Sequence, residues 1–221
     1  MKVGVVDSGI GGIKVLEGLQ KDFKGEYLYL FDRSFMPYGD KNLSQIKDRV
    51  FICCDFLISN GADVIVLACN TASCCALEDC KSRYNIPILG LIPPVEILSN
   101  SKDNTLLLST PLTANILNEK YNIKNSKNII LSPQKDLAYL IENHYRNKIK
   151  IKEYLINNLK PYANICSKVF LGCTHYYFVK NEIKNLLNID VVDGRLQLLK
   201  EFDRINAKSN ATNSKTTFYY L

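Results

Sequence analysis

Two cysteines follow short apolar stretches of this 221-residue chain in the same pattern. Cys69 comes directly after the apolar run of residues 64–68, and Cys173 follows the run of residues 168–171 after one glycine. Small polar residues come next at both places, which is typical of a strand that ends where a helix begins. Ligands of open α/β sheets bind at that edge of the sheet. The repeated pattern therefore predicts two half-sites that face each other, each carrying one thiol.

A thiol at such an edge can transfer protons, bind a metal ion or undergo redox chemistry. Metal binding is disfavoured, because no two cysteines form a C-x-x-C pair and the only histidines are His144 and His175. The sequence thus predicts no metal site. A redox sensor is also disfavoured, since no resolving pair is evident beyond neighbours on helices. We leave Cys166 unassigned and expect five other cysteines to be small buried core residues, namely Cys53, Cys54, Cys74, Cys75 and Cys80.

The alternation of strands and helices predicts an α/β fold with parallel sheets and helices on both faces. The apolar runs predict strands at residues 2–6, 27–31, 64–68, 86–90, 105–108, 128–131, 168–171 and 189–192. Helices are predicted at residues 13–21, 44–60, 71–84, 111–120, 134–146, 149–159, 178–187 and 196–205. Pro93 and Pro94 interrupt the alternation, so we expect a second domain to begin there. Residues 1–93 with 190–221 form the first expected domain, and residues 94–189 form the second.

Two irregular segments flank this pattern. The glycine-rich turn at residues 7–12 lacks the G-x-G-x-x-G spacing of dinucleotide sites. Asp7 in this turn could cap the next helix or have a functional role. Near the carboxyl end, we expect residues 206–217 to form a loose polar excursion and residues 218–221 an edge strand.

Composition argues against several classes of protein. With 47% hydrophobic and 23% charged residues, the chain is typical of a soluble globular protein. Its net charge of +6 makes an anionic ligand conceivable, but the lysines are scattered among asparagine and glutamate, so we expect no nucleic-acid partner. No apolar run approaches the ~18 residues of a membrane span, and the first residues do not have the pattern of a signal peptide. We therefore expect a cytoplasmic protein without a membrane partner.

Four motifs carry a resemblance to a known family. They are Asp-Ser-Gly-Ile-Gly-Gly at residues 7–12, Pro-Tyr-Gly at 37–39, Ala-Cys-Asn-Thr-Ala-Ser at 68–73 and Gly-Cys-Thr-His-Tyr at 172–176. In this order and spacing, the chain resembles glutamate racemases of the cofactor-independent aspartate/glutamate racemase superfamily. The resemblance implies two pseudo-symmetric α/β domains, each a parallel sheet flanked by helices, with the active site in the cleft between them. It also implies conversion of L-glutamate to D-glutamate for peptidoglycan without a cofactor, in a protein that is often a homodimer.

The same resemblance implies roles for individual residues. Racemisation removes the α-proton from one face of a carbon and delivers a proton to the other, so an acid and a base must stand on opposite sides. Cys69 and Cys173 are implied as that pair, with Asp7 and His175 as proton relays beside them. Glu142 matches a further family glutamate whose role stays open. The implied substrate contacts are Ser8, Pro37, Tyr38, Gly39, Asn70, Thr71, Thr110, Thr113 and Thr174.

Structural interpretations of some of these residues stay open. Tyr38 and Gly39 could shape a turn without facing the crevice. Thr110 and Thr113 could be helix caps alone, and His175 could be a core histidine with satisfied hydrogen bonds. The rival functions are racemisation of aspartate or another amino acid on the same fold, and a catalytically weakened binding protein that keeps the fold.

Overall fold

The computed structural model describes residues 1–205 and 212–221, which form two parallel β-sheets with helices packed against them. The strands are β1 (Lys2–Asp7), β2 (Glu26–Phe31), β3 (Val64–Leu67), β4 (Ile88–Gly90), β5 (Thr105–Ser109), β6 (Ile129–Pro133), β7 (Lys168–Gly172), β8 (Asp190–Asp193) and β9 (Lys215–Tyr220). The α-helices are α1 (Ile13–Asp22), α2 (Leu43–Ser59), α3 (Asn70–Arg83), α4 (Val95–Ser99), α5 (Pro111–Tyr121), α6 (Leu137–His144), α7 (Lys148–Leu159), α8 (Lys180–Leu187) and α9 (Arg195–Ile205). A 3₁₀ helix, Thr174–Val179, lies between β7 and α8.

The two sheets repeat one strand order. The first runs β4-β3-β1-β2-β9, and the second runs β8-β7-β5-β6 when it is read in the matching direction. All neighbouring strands in both orders are parallel. The strands β1 to β4 therefore correspond to β5 to β8, and β9 is an added edge strand of the first sheet. In each sheet the order reverses beside the first strand, and such a reversal leaves a crevice at the carboxyl ends of the strands.

The predicted α/β fold with two pseudo-symmetric units, each a parallel sheet flanked by helices, is confirmed. Strands β3 and β5 are buried at every residue, because helices cover both faces of a parallel sheet. Local signals begin the helices. The side chains and backbones of Asn42 and Gln45 exchange hydrogen bonds at the start of α2. Thr110 caps α5, and Pro111 occupies its first turn.

Several predicted boundaries differ from the structure. The helix predicted from residue 134 begins at Leu137, because Gln134 is held in the preceding turn by a hydrogen bond from its amide to the Ser132 hydroxyl at 2.8 Å. The helix predicted from residue 178 is 3₁₀ up to Val179. The segment Asp190–Asp193, expected in the first domain, pairs with β7 in the second sheet, because its valines align with the apolar centre of β7.

The polar segment near the carboxyl end is partly a strand. The expected loose excursion at residues 206–217 is wrong for its last three residues, because β9 begins at Lys215 and pairs in parallel with β2. Residues 206–211 of that excursion lie outside the described residues. The predicted edge strand is confirmed, since β9 lies at the edge of the first sheet. The Tyr220 ring stacks on that of Phe31, with 5.0 Å between the ring centroids.

Helix α9 completes the core of the first sheet. Phe202 of α9 is fully buried, and its ring centroid lies 4.8 Å from that of Phe23. Phe218 on β9 is 50% exposed, although it also contacts aromatic rings of β2. Phe202 and Phe218 therefore allow the same side chain to be compared in a buried position and in a half-exposed one. None of the helices in the described ranges has the length and apolar character needed to cross a membrane.

We expect Phe202→Ala to lower the free energy of unfolding by about 3–5 kcal/mol, because it opens a cavity in a core that cannot collapse around it. Phe218→Ala is the matched control and should cost less than half as much, since water already reaches that ring. Urea denaturation of both variants measures the difference. Equal losses would contradict the packing of α9 described here.

Candidate active site

One cavity lies between the two sheets at the carboxyl ends of their strands. The first sheet contributes Ser8, after β1, and Cys69, after β3. The second sheet contributes Thr110, after β5, and Cys173, after β7. Residues 36–40 form a further wall. The cavity volume is about 20 Å³, which suffices for about one water molecule and not for an amino acid. The cleft is therefore closed in this conformation.

Cys69 holds its proton in this environment. It immediately precedes α3 and is almost fully buried. Burial, and then the charge of Asp7, raise the pKa of the Cys69 thiol, although the Ala72 backbone N–H and the Ser8 hydroxyl oppose that rise. The Ser8 Oγ lies 3.9 Å from the Cys69 Sγ. Cys69 is therefore suited to act as an acid.

Cys173 belongs to a buried row of three side chains. Its Sγ lies 4.0 Å from Nδ1 of His175, and Nε2 of that imidazole lies 2.9 Å from Oε2 of Glu142. Burial alone would lower the pKa of His175, but hydrogen bonds with Cys173 and Glu142 and the charges of Cys173 and Asp7 raise it to about 10. A protonated imidazole stabilises an adjacent thiolate. Cys173 therefore lies beside a positively charged imidazole that Glu142 orients.

Asp7 links the first half of the chain to the second. Its Oδ1 accepts a hydrogen bond from the Gly9 N–H at 2.9 Å, and its Oδ2 accepts one from the Thr174 hydroxyl at 3.0 Å. It does not cap the next helix, because no side chain caps α1. Burial raises the pKa of Asp7, although the charge of His175 and the two hydrogen bonds oppose that rise. A carboxyl group with a raised pKa can hold and pass on a proton.

Glu142 is a second buried carboxylate that joins the halves. Its Oε2 accepts a hydrogen bond from the Ile10 N–H at 2.8 Å, in addition to its contact with His175. Its Oε1 has no hydrogen-bond partner and lies 3.5 Å from the guanidinium of Arg33. Burial alone would raise the pKa of Glu142, but the hydrogen bonds from His175 and Ile10 and the charges of His175 and Arg33 lower it. Glu142 thus stays ionised and orients the imidazole.

The glycine-rich turn allows these contacts between the halves. A Cβ atom on Gly9 would collide with the Glu142 carboxylate and lie 2.9 Å from Nε2 of His175. A Cβ on Gly11 would collide with the Thr174 hydroxyl. Only glycine lets the backbone approach so closely. The turn therefore does more than connect β1 to α1. It brings the backbone of the first half of the chain against Glu142, Thr174 and His175 of the second half.

An ion pair between the buried Asp32 and the partly buried Arg49 fixes the wall formed by residues 36–40. The fully buried Asp32 carboxylate accepts hydrogen bonds from Nε of Arg49 at 2.7 Å and from the Tyr38 hydroxyl at 2.6 Å. Gly39 packs on Thr110, where a Cβ atom would come within 2.7 Å of the threonine Cβ. Tyr38 and Gly39 therefore line the crevice, and their loop is held in place from behind.

Three threonine hydroxyls meet beside this wall. Oγ1 of Thr71 lies 3.0 Å from the hydroxyl oxygens of both Thr110 and Thr113. Oγ1 of Thr110 also accepts the Thr113 N–H as the cap of α5. Thr110 is thus both a helix cap and part of the cavity wall, whereas Thr113 supports the other two hydroxyls from behind.

The side-chain amide of Asn70 uses its N–H donor within the protein but leaves its carbonyl oxygen without a hydrogen bond. The side-chain Nδ2 donates to the Leu91 carbonyl at 2.8 Å, and the buried Oδ1 has no hydrogen-bond partner. A buried acceptor without a partner is costly, so such an atom is suited to a donor group that arrives with a ligand. Asn70 therefore offers a carbonyl oxygen for a cationic or N–H group.

The structure gathers the predicted site residues around one cavity. Nine line it, namely Ser8, Pro37, Tyr38, Gly39, Cys69, Thr71, Thr110, Cys173 and His175. Five lie buried behind it, namely Asp7, Asn70, Thr113, Thr174 and Glu142.

Four further residues around the site were not predicted from the sequence, namely Asp32, Arg33, Arg49 and Lys135. Of these, only Asp32 has a local signal, because it follows an apolar strand as Asp7 does. Within residues 1–205 and 212–221, no group of three or more His, Cys, Asp and Glu side chains is placed to hold a metal ion.

The chain is similar to proteins of one family. The model of the Asp/Glu/Hydantoin racemase family matches residues 13–200. A glutamate racemase of Campylobacter curvus is 32% identical over 99% of this chain and 90% of its own length. A glutamate racemase of Clostridium kluyveri is 33% identical over 97% of this chain and 87% of its own. The crystal structure of glutamate racemase from Francisella tularensis in complex with D-glutamate is 26% identical, with a TM-score of 0.83 over 99% of this chain and 87% of its own.

We expect His175 to make stability depend on pH. Its pKa of about 10 in the folded protein lies above the ~6.5 of an unfolded histidine. Its contribution is therefore complete below pH ~6.5 and disappears as the pH rises through about 10. The measurement is urea unfolding of the wild type and His175→Gln at pH 6 and pH 10. The wild-type advantage should be larger at pH 6 by about 1 kcal/mol or more, and an advantage independent of pH would contradict the charged imidazole.

We expect Arg49→Met to lower the free energy of unfolding by about 3–5 kcal/mol, because it leaves the Asp32 carboxylate buried without a cation. Arg83→Met is the matched control. Arg83 pairs with Asp55 at 3.4 Å, and both side chains are half exposed, so its loss should cost at most about 1 kcal/mol. Thermal or urea unfolding compares the two. Similar losses in both variants would show that the buried pair does not hold the loop.

Proposed function

This chain belongs to the Asp/Glu/Hydantoin racemase family of isomerases, and we propose that it interconverts L-glutamate and D-glutamate without a cofactor. The observation that carries the proposal is the single cavity lined by Cys69 from one sheet and Cys173 from the other. Relatives named glutamate racemase, at 32% and 33% identity over nearly the whole chain, support glutamate as the substrate.

Two thiols from opposite halves suit the inversion of a carbon atom. A base must remove the α-proton from one face, and an acid must supply a proton to the other. A single base would tend to return its proton to the face from which it came. In the proposed reaction, one thiolate takes the α-proton and leaves a carbanion, to which the opposite thiol then donates its proton. The two cysteines exchange roles when the reaction runs in reverse.

The surroundings of the two sulfurs favour one resting state. Burial and the charge of Asp7 raise the pKa of Cys69, whereas His175, oriented by Glu142, places a positive charge 4.0 Å from Cys173. In the proposed mechanism Cys69 therefore acts first as the acid and Cys173 first as the base. This resting state is ready to accept L-glutamate, from which Cys173 would remove the proton. Asp7 and His175 then relay protons that restore the starting state. Because the two enantiomers have equal free energies, this asymmetry affects which enzyme form is populated and leaves the equilibrium unchanged.

The cavity offers complementary groups for the α-carbon substituents. We assign the α-carboxylate to the hydroxyls of Ser8 and Thr71 and to the backbone N–H groups at the start of α3. Behind the wall, the unpaired Oδ1 of Asn70 suits the α-ammonium group once the cavity opens to admit the substrate. Without a cofactor, the carbanion depends on fixed hydrogen-bond donors in a site that excludes water. A cavity of about 20 Å³ cannot hold glutamate, so the halves must open for entry and then close around the substrate with a larger cavity than this one.

The likeness to glutamate racemases extends the proposal beyond the reaction. We propose that the D-glutamate supplies peptidoglycan synthesis and that the protein acts in the cytoplasm. Assembly into homodimers stays a prediction. We also propose that residues 94–189 form the second domain, to whose sheet β8 is added, and that the chain returns to the first domain after residue 193.

We expect the purified, metal-stripped protein to racemise L-glutamate in deuterated water with uptake of deuterium at the α-carbon. Cys69→Ser and Cys173→Ser should each lower turnover by about 10²–10⁴-fold or more, because a serine hydroxyl is a much weaker acid than a thiol. Circular dichroism follows the optical activity, and proton NMR follows the loss of the α-hydrogen signal.

The control is Cys53→Ala, since Cys53 is fully buried and does not line the cavity. Removal of a buried side chain should lower the free energy of unfolding. Turnover should stay within about twofold of the wild type, because the substitution leaves the cavity lining unchanged. L-Aspartate is tested in parallel. Turnover of aspartate alone would show that the proposed substrate is wrong, and turnover of neither would favour a binding protein. A requirement for an added cofactor would rule out the two-thiol mechanism.

A further inference from the structure

Lys135 places a positive charge at the mouth of the cavity. It lies in the turn between β6 and α6, is exposed, and lines the cavity together with residues 36–40. Asp40 is the acidic side chain in the same lining. In the described part of the chain, no ion pair joins Lys135 or Asp40 to another side chain. The Lys135 ammonium is therefore available to a ligand that enters from the mouth.

The second carboxylate of glutamate needs such a cation. The cavity wall has two basic side chains, Lys135 and His175, and the imidazole of His175 is already engaged with Cys173 and Glu142. The rest of the wall offers thiols, hydroxyls, backbone groups and the Asp40 carboxylate, and two further carboxylates, Asp7 and Glu142, lie buried behind it. A carboxylate that is enclosed near other negative charges is unfavourable unless it is paired. The donors at the start of α3 are assigned to the α-carboxylate. The side chain of the substrate then extends towards the remaining wall, which is built by residues 36–40 and Lys135.

We propose that Lys135 determines substrate specificity by binding the side-chain carboxylate of the amino acid when the cleft closes. This inference rests on the proposed function and specifies the substrate class of that site. The flexible four-carbon stem of lysine lets the ammonium group follow the carboxylate into the closed cleft. Asp40, which also lines the cavity, repels a carboxylate and so favours its contact with Lys135. An uncharged side chain of the same length gains nothing from this contact.

The first test compares kinetic constants for glutamate in the wild type, Lys135→Met, Lys135→Arg and Lys124→Met. Lys124 is exposed and does not line the cavity, so its variant controls for the change in net charge. Lys135→Met should raise KM about tenfold or more and change kcat less than about threefold, as expected for a charge-assisted contact made equally in ground and transition states. Lys135→Arg should retain most of the affinity, and Lys124→Met should match the wild type.

The second test uses ligands that differ only in side-chain charge. The inhibition constant of D-glutamine should be the same in the wild type and Lys135→Met, because its side-chain amide carries no charge. An unchanged KM for glutamate in Lys135→Met would overturn the inference. A loss of kcat alone, or an equal loss of affinity for glutamate and glutamine, would also overturn it.

Calorimetric binding of D-glutamate separates this inference from the proposed function. It is measured in the Cys69→Ser/Cys173→Ser variant with and without Lys135→Met, where no turnover is needed. If Lys135→Met weakens binding in the double-serine variant while the wild type racemises no glutamate, the inference is supported and the proposed function is refuted. Racemisation of glutamate with binding that does not depend on Lys135 would support the function and refute the inference.

Discussion

The burial of two carboxylates between the sheets is the constraint on which the site depends. Asp7 accepts a hydrogen bond from Thr174, and Glu142 accepts one from Ile10 and contacts His175. Each carboxylate therefore belongs to one half of the molecule and accepts a hydrogen bond from the other. A buried ionised carboxylate costs several kcal/mol when its partners are removed. The halves can separate only if water replaces these partners, and the closed cavity follows from their contact.

The same two carboxylates give the two thiols different surroundings. The pKa of Asp7 is raised by its burial, whereas that of Glu142 is lowered by the hydrogen bonds and charges around it, despite its burial. Asp7, on the Cys69 side, therefore binds a proton more readily than an exposed carboxylate does. Glu142 supports a positive imidazole on the Cys173 side. Similar backbone positions thus give Cys69 and Cys173 different charged neighbours.

Most of the fold could be predicted from the sequence, because its signals are local. Apolar runs define the strands, and the cysteines stand where those runs end. Contacts between distant residues could not be predicted in this way: Glu142 meets Ile10 across 132 positions of the chain. The sequence also placed β8 with the first domain instead of the second sheet, since a short apolar run does not indicate which strand it will pair with. The start of β9 was missed because Lys215 and two threonines are polar, which an edge strand tolerates.

The repeated strand order has a consequence for handedness. A chain of L-residues cannot contain its own mirror image, so a protein that handles both enantiomers can only approximate a mirror with a twofold rotation. Such a rotation carries one face of a flat carbanion onto the other and exchanges the positions that follow β3 and β7. The chemistry at these positions is not exchanged, because their neighbouring side chains differ. Molecules that imitate one enantiomer must therefore bind the two halves unequally, however alike the backbones are.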